Sequence, residues 1–193
     1  MRPENKADRE AQIAEAAYAI LAEKGFAGLS MLAVAKRARA SNETLYRWYG
    51  DKTGLFRSLI LRNTAQVTER LDALHDAGPG REVLQEMGAA LLDMLLSERA
   101  VALNRAAAAD ASDTLGAVLA EAGRGTVFPR LVAVFGRLSA AGEVAGPPEE
   151  VTALWIDLLV GDWQLRCVTG AMPPPDEAAR AARVRRAADG VLG

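Results

Sequence analysis

The sequence predicts an all-α protein. Apolar residues recur three and four apart along most of the chain, as at Leu55, Leu59, Val67, Leu71 and Leu74, the spacing that collects side chains on one face of a helix. No segment shows the period-two alternation of a half-buried strand. Glycine, proline and capping residues separate the periodic segments, at Gly78-Pro79-Gly80, Asp110-Ala111-Ser112-Asp113, Ala145-Gly146-Pro147-Pro148 and Pro173-Pro174-Pro175.

In chain order, a first helix is expected from about residue 7 to 24, burying Ile13, Ala17, Ile20 and Leu21 and closed by Gly25 and Gly28. Ser30 is placed to cap a short second helix over residues 31–38. Arg39-Ala40 form a tight connection, and Ser41 caps a third helix that Gly50-Asp51 end. Asp51 caps a long fourth helix reaching about Leu74, and the chain breaks at Gly78-Pro79-Gly80. Further helices are expected at about 81–97, 98–109, 114–141 (interrupted by Gly123, Gly125 and Pro129), 149–169 and 176–192.

The third helix has the composition of a recognition surface. Leu45 and Tyr49, four apart, point into a core, while Ser41, Thr44 and Trp48 share another face with Asn42 and Tyr46 beside it. A helix needing only to pack gains little from these hydroxyl, amide and aromatic groups. Helix, short turn and helix within about twenty residues (31–50) is the arrangement that lays its second helix in the DNA major groove. Two packing helices of an ordinary bundle share that spacing; the polar face separates the readings. The candidate DNA-contacting residues are Ser30, Ser41, Asn42, Thr44, Tyr46, Arg47, Trp48 and Lys52. Tyr46 and Lys52 suit phosphates, Lys52 aided by the positive end of the fourth helix. Asn42 or Arg47 suits base edges. Trp48 has packing under the fourth helix as its alternative. The net charge of −2 divides into +3 over residues 1–60 and −5 over 61–193, so the basic surface is local to this region.

Residues 9–56 resemble the N-terminal domain of the TetR family of bacterial repressors. The resemblance rests on Ile13, Ala16-Ala17 and Gly25-Phe26, on Ser30, Val34-Ala35 and Ala38, on Ser41, Thr44-Leu45-Tyr46 and Trp48-Tyr49, and on Lys52 and Leu55-Phe56. It implies a DNA-binding domain over residues 1–56 and a helical effector-binding and dimerisation domain over 57–193. Arg39 departs from the family's usual glycine at the turn. A positive φ there costs a non-glycine residue about 1 kcal/mol.

The resemblance also implies a homodimer held by the last two helices. Leu158, Leu165, Ala181, Val184, Ala188 and Val191 are the expected interface residues; the alternative is that both helices merely complete a monomer core. It implies a small-molecule effector within the C-terminal helices, for which Met87, Met94, Phe128, Trp155, Trp163 and Arg166 are candidate pocket residues; such apolar stripes are more often plain core. Burial of a charged residue among Asp93, Arg99, Arg105, Asp157, Asp162 and Arg166 would mark a polar ligand group. Asp162 and Arg166 are spaced to pair.

Other classes are disfavoured. One cysteine, Cys167, and one histidine, His75, give no zinc site and no intramolecular disulfide. Cys167 is expected as a packed core thiol and His75 as solvent-exposed. No glycine-rich phosphate loop, nucleophile elbow or paired-histidine motif occurs, so neither enzyme activity nor a cofactor is expected. No apolar run approaches the roughly 18 residues of a membrane span, and the charged start lacks a signal peptide. The expectation is a cytoplasmic, DNA-binding regulator, most often a repressor, released from a near-palindromic operator by a small hydrophobic effector. The alternative is an effector-independent DNA-binding dimer governed by a protein partner or by abundance.

Overall fold

The computed structural model describes residues 3–74 and 80–192, with side chains from residue 6 onward. His75 and the Gly78-Pro79 break lie outside the described residues. Eleven α-helices and no strand occur among the described residues. No helix among them is long and apolar enough to cross a membrane. Two compact units emerge: residues up to Arg62 together with Ala102–Ala122, and Asn63–Val101 together with residues from Gly123 onward.

The first unit holds α1 (Pro3–Gly28), α2 (Met31–Arg37), α3 (Asn42–Tyr49) and the start of α4 (Lys52–Ala73). Gly25, at φ 63° and ψ −172°, breaks the helical path of α1 one residue past its expected end at Lys24. The core joins Ile13, Ala17, Leu21, Val34, Leu45, Leu55, Phe56 and Leu59. The Tyr18 hydroxyl donates to the Leu59 carbonyl at 2.6 Å, tying α1 to α4 inside that core. Leu103, Ala106, Leu115 and Val118 belong to the same core. They come from α6 (Glu98–Ala108) and α7 (Thr114–Leu119). A division after residue 56 assigned these elements elsewhere, because nothing in their spacing names the core they fill.

The α2–α3 turn explains Arg39. The Ala40 amide donates to Ala35 O at 2.9 Å and the Arg39 amide to Lys36 O at 3.4 Å, the paired bonds of a Schellman ending. That ending needs a left-handed residue, and Arg39 takes φ 51°. Arg39→Gly is therefore expected to raise the melting midpoint of this unit, by about 0.5–1 kcal/mol of stability. An unchanged or lowered midpoint in a thermal melt would show that the arginine side chain offsets its own strain.

The second unit holds α5 (Arg81–Leu95), α8 (Gly125–Ala140), α9 (Pro148–Val160), α10 (Trp163–Thr169) and α11 (Glu177–Asp189). α11 packs on α5 and α9, and α9 on α8. Met87, Leu92, Phe135, Trp155, Leu159, Ala187 and Ala188 form its buried centre. Cys167 is buried there, as expected.

One expected single helix is divided, and the expected interruption of another is located. Residues 149–169 break at Gly161, which takes φ 50° and ψ −129°. The Arg183 guanidinium stands 2.8 Å from where a Cβ on Gly161 would lie. It donates to the Leu158 carbonyl and lies 4.1 Å from the Trp163 ring centroid. The run 114–141 becomes α7, a π-helical turn at Ala120–Arg124, and α8, with Pro129 inside α8.

Candidate nucleic-acid interface

Capping builds the helix pair. The Ala33 amide donates to Ser30 Oγ at 3.1 Å, and the Thr44 amide to Ser41 Oγ at 3.0 Å. Each bond satisfies one orphan donor at a helix start. Ser41 Oγ and Thr44 Oγ1 lie 2.8 Å apart, so this hydroxyl pair is already engaged within α3. The Gly54 amide donates to Asp51 Oδ1 at 2.7 Å and opens α4.

α3 is amphipathic in an unusual sense. Leu45 is its one fully buried residue, while Asn42, Glu43, Tyr46 and Arg47 are exposed together. Tyr46 is an exposed aromatic on that outer face. Thr44, Trp48 and Tyr49 are half-buried. Trp48 packs against the core and meets Tyr49 edge-on, with ring centroids 6.4 Å apart. It therefore sits at the margin of the exposed face, because its place on the helix wheel adjoins Leu45. Burial pushes the Tyr49 phenol up to about 12, and the Glu10 carboxylate adds to the shift.

Lys52 stands at the start of α4 with its ammonium 3.7 Å from the Phe26 ring centroid. Burial lowers its pKa and Asp110 opposes the shift. Its charge is thus held in place by the aromatic face rather than trailing into water. Arg37 is engaged with Glu23 in two hydrogen bonds of 2.7 Å. The structure so brings Ser30, Ser41, Asn42, Thr44, Tyr46, Arg47, Trp48 and Lys52 onto two capped short helices and the next helix start. Arg9 was missed in the sequence: its Nη1 donates to the carbonyl oxygens of Ala38 and Arg39 at 3.4 Å each.

The C-terminal candidates separate. Met87 and Trp155 are wholly buried in the second core, with Met94 and Trp163 packed against it. Phe128 is half-buried beneath Arg124, whose guanidinium lies 4.4 Å from its ring centroid. Arg166 is exposed and pairs with Asp162 at 3.6 Å. Asp93, Arg99, Arg105, Asp157, Asp162 and Arg166 are all exposed, so none is a buried ionic anchor. The buried side-chain polar atom without a hydrogen-bond partner, among the described residues, is the indole Nε1 of Trp155.

The expected interface residues also divide. Leu165 is 65% exposed and Leu158 half-buried, and Leu154, one turn before Leu158 on α9, is 50% exposed. Ala181 and Val191 are half-buried. Val184 and Ala188 are buried within their own chain, which corrects their expected outward placement. The reason is geometric: Gly88 on α5 lets α11 approach until Val184 Cγ1 lies 3.3 Å from where a Cβ would stand.

The comparisons agree with this architecture. Residues 13–59 match the bacterial regulatory proteins of the tetR family, and residues 82–193 match the C-terminal domain of AefR-like transcriptional repressors. The chain is 26% identical over 167 residues to the HTH-type transcriptional repressor KstR of Rhodococcus jostii, covering 82% of this chain and 74% of that protein. A TetR-family regulator from Mesorhizobium loti superposes with a TM-score of 0.79 at 24% identity, over 95% of each chain. A TetR regulator from Agrobacterium tumefaciens gives 0.76 at 25% identity, over 98% of this chain and 93% of that one.

Proposed function

This chain belongs to the TetR family of DNA-binding transcriptional regulators, and from that premise we propose a homodimeric repressor that leaves a near-palindromic operator when a small, largely hydrophobic effector binds. The observation that carries the DNA reading is α3, whose capped start and exposed Asn42, Tyr46 and Arg47 present a polar face with nothing of its own to bury. Asn42 and Arg47 are the proposed base readers, and Tyr46 and Lys52 the proposed phosphate contacts. Selection from random DNA tests it. The enriched sequence should hold two inverted half-sites about 34 Å apart, or a multiple. Enrichment of an asymmetric site would refute the paired reading.

Lys52→Ala should weaken specific and non-specific binding alike and flatten the salt dependence by about one unit. Fluorescence anisotropy across a salt series measures both. An unchanged slope would remove Lys52 from the interface.

Leu154 on α9 and Leu165 on α10 support the homodimer, because each is a large apolar side chain left 50% or 65% exposed, the kind of group a partner covers. Replacing both by glutamate should yield monomers with unchanged helical content and no tight operator binding. Val184→Glu should instead unfold its unit, since it places a charge in the chain's own core. Light scattering separates these outcomes, and a wild-type monomer that binds its operator tightly would refute the assembly.

The effector reading draws support from Trp155. A buried donor left unsatisfied costs roughly 1–3 kcal/mol, which a ligand acceptor would recover. The effector-independent reading draws support from the close packing at Gly88, where an added Cβ would lie 3.3–3.4 Å from Val184, Leu159 and Trp155. Ligand affinity measured with and without operator decides between them. Hundredfold release requires about 2.7 kcal/mol of coupling, and DNA must weaken an inducer equally. Equal affinities would show that a bound compound is not the inducer.

A further inference from the structure

We propose that Lys6 extends the DNA-contacting surface onto α1, as a phosphate-binding side chain outside the helix pair; the proposal rests on DNA binding and is independent of any effector. Two contacts place the first turns of α1 against the helix-turn-helix. Arg9 Nη1 donates to the Ala38 and Arg39 carbonyls, fastening α1 to the α2–α3 turn. Three residues earlier, on the same face of the helix, Lys6 Nζ lies 5.7 Å from the ring centroid of Trp48, which belongs to α3. The basic side chain is thus aligned with the margin of the recognition helix by contacts to both members of the pair.

The state of that charge suits a phosphate. Its ammonium lies near Trp48 while the side chain stays 56% exposed. A separation of 5.7 Å is near the outer reach of a cation–π contact, so the ring guides the ammonium without fixing it. Its carboxylate partner, Glu10, lies 3.6 Å away at i,i+4, and both groups are exposed. Surface pairs of that kind are weak and screened by salt, so a phosphate can take the carboxylate's place. Arg9 differs, because its guanidinium is engaged by the turn carbonyls; it is a positioning residue for this edge.

The test titrates the full-length protein against a short duplex of random sequence over a series of salt concentrations. Lys6→Met keeps an unbranched apolar side chain of similar length and removes the charge. It should flatten the salt slope by about 0.9 and weaken binding about eightfold near 0.1 M salt, the factor that slope gives when extrapolated from about 1 M. Lys6→Arg should keep the wild-type slope. Glu10→Gln should tighten binding, because the competing carboxylate is gone. Wild-type affinity and slope in Lys6→Met would overturn the proposal. So would loss of affinity in Lys6→Ala with full retention in Lys6→Met, which would assign the effect to packing on Trp48. Failure of the wild-type protein to bind any duplex would overturn the DNA reading itself and Lys6 with it, a result distinct from either of those.

Discussion

Gly54→Ala is expected to disrupt the DNA-contacting unit more than any other single-methyl addition described. A Cβ on Gly54 would lie 1.9 Å from the Tyr49 carbonyl oxygen and 3.1 Å from its carbon. Both atoms are backbone, so no rotamer change relieves the clash. The Gly54 amide is also held by Asp51 Oδ1 at 2.7 Å, and Gly50 makes the bend before it at φ 76°. Relief requires moving the first turn of α4, and with it Leu55 and Phe56, both wholly buried in the core beneath α1 and α2. The expected cost is roughly 3 kcal/mol or more, at the upper end for overpacking. Circular dichroism melts should lose the transition of this unit at a lower temperature, and duplex binding should fall with it. A variant that melts and binds as the wild type would show that α3 and α4 do not meet so closely.

The second large effect lies at Trp155 and depends on what replaces it. The side chain is wholly buried, 5.6 Å from the Phe135 ring between centroids and against Gly88. Trp155→Ala removes the largest core side chain of its unit and should cost roughly 3–5 kcal/mol. Trp155→Phe loses less volume and also removes the indole N–H that has no acceptor. Recovering roughly 1–3 kcal/mol from that unmade bond offsets part of the lost packing. The phenylalanine variant should therefore unfold in urea close to the wild type, and the alanine variant far below it. Equal loss in both would mean that the indole N–H has a partner in solution, and it would remove the support that Trp155 lends to an effector with a hydrogen-bond acceptor.

These residues differ in how far the sequence revealed them. Ser30, Ser41 and Asp51 were legible as helix caps because a cap bonds to an amide three residues on, within the reach of a local pattern. The left-handed turn at Arg39 was suggested only by the glycine the resembling family has there, and the structure supplied the two bonds that define it. The polar face of α3 was legible because local spacing sets its inward residues, chiefly Leu45, apart from the rest. Trp48 was placed less well: helical spacing puts it between the buried and exposed arcs, and only contact with Tyr49 and the core shows how far it turns inward.

By itself, then, the sequence determined the helical class, the helix pair with its caps, and the polar recognition face, all set by interactions spanning one or two turns. Tertiary structure alone decided the features that depend on partners far along the chain. Gly161 breaks its helix where the guanidinium of Arg183 comes in, twenty-two positions later. Residues 102–122 fill the N-terminal unit through Leu103, Ala106, Leu115 and Val118, a destination their period does not encode. Val184 and Ala188 form a stripe that spacing identifies, yet which surface covers it is settled by Gly88 on α5, nearly a hundred residues upstream. Periodicity names a buried face of a helix; only the packed chain names what it is buried against.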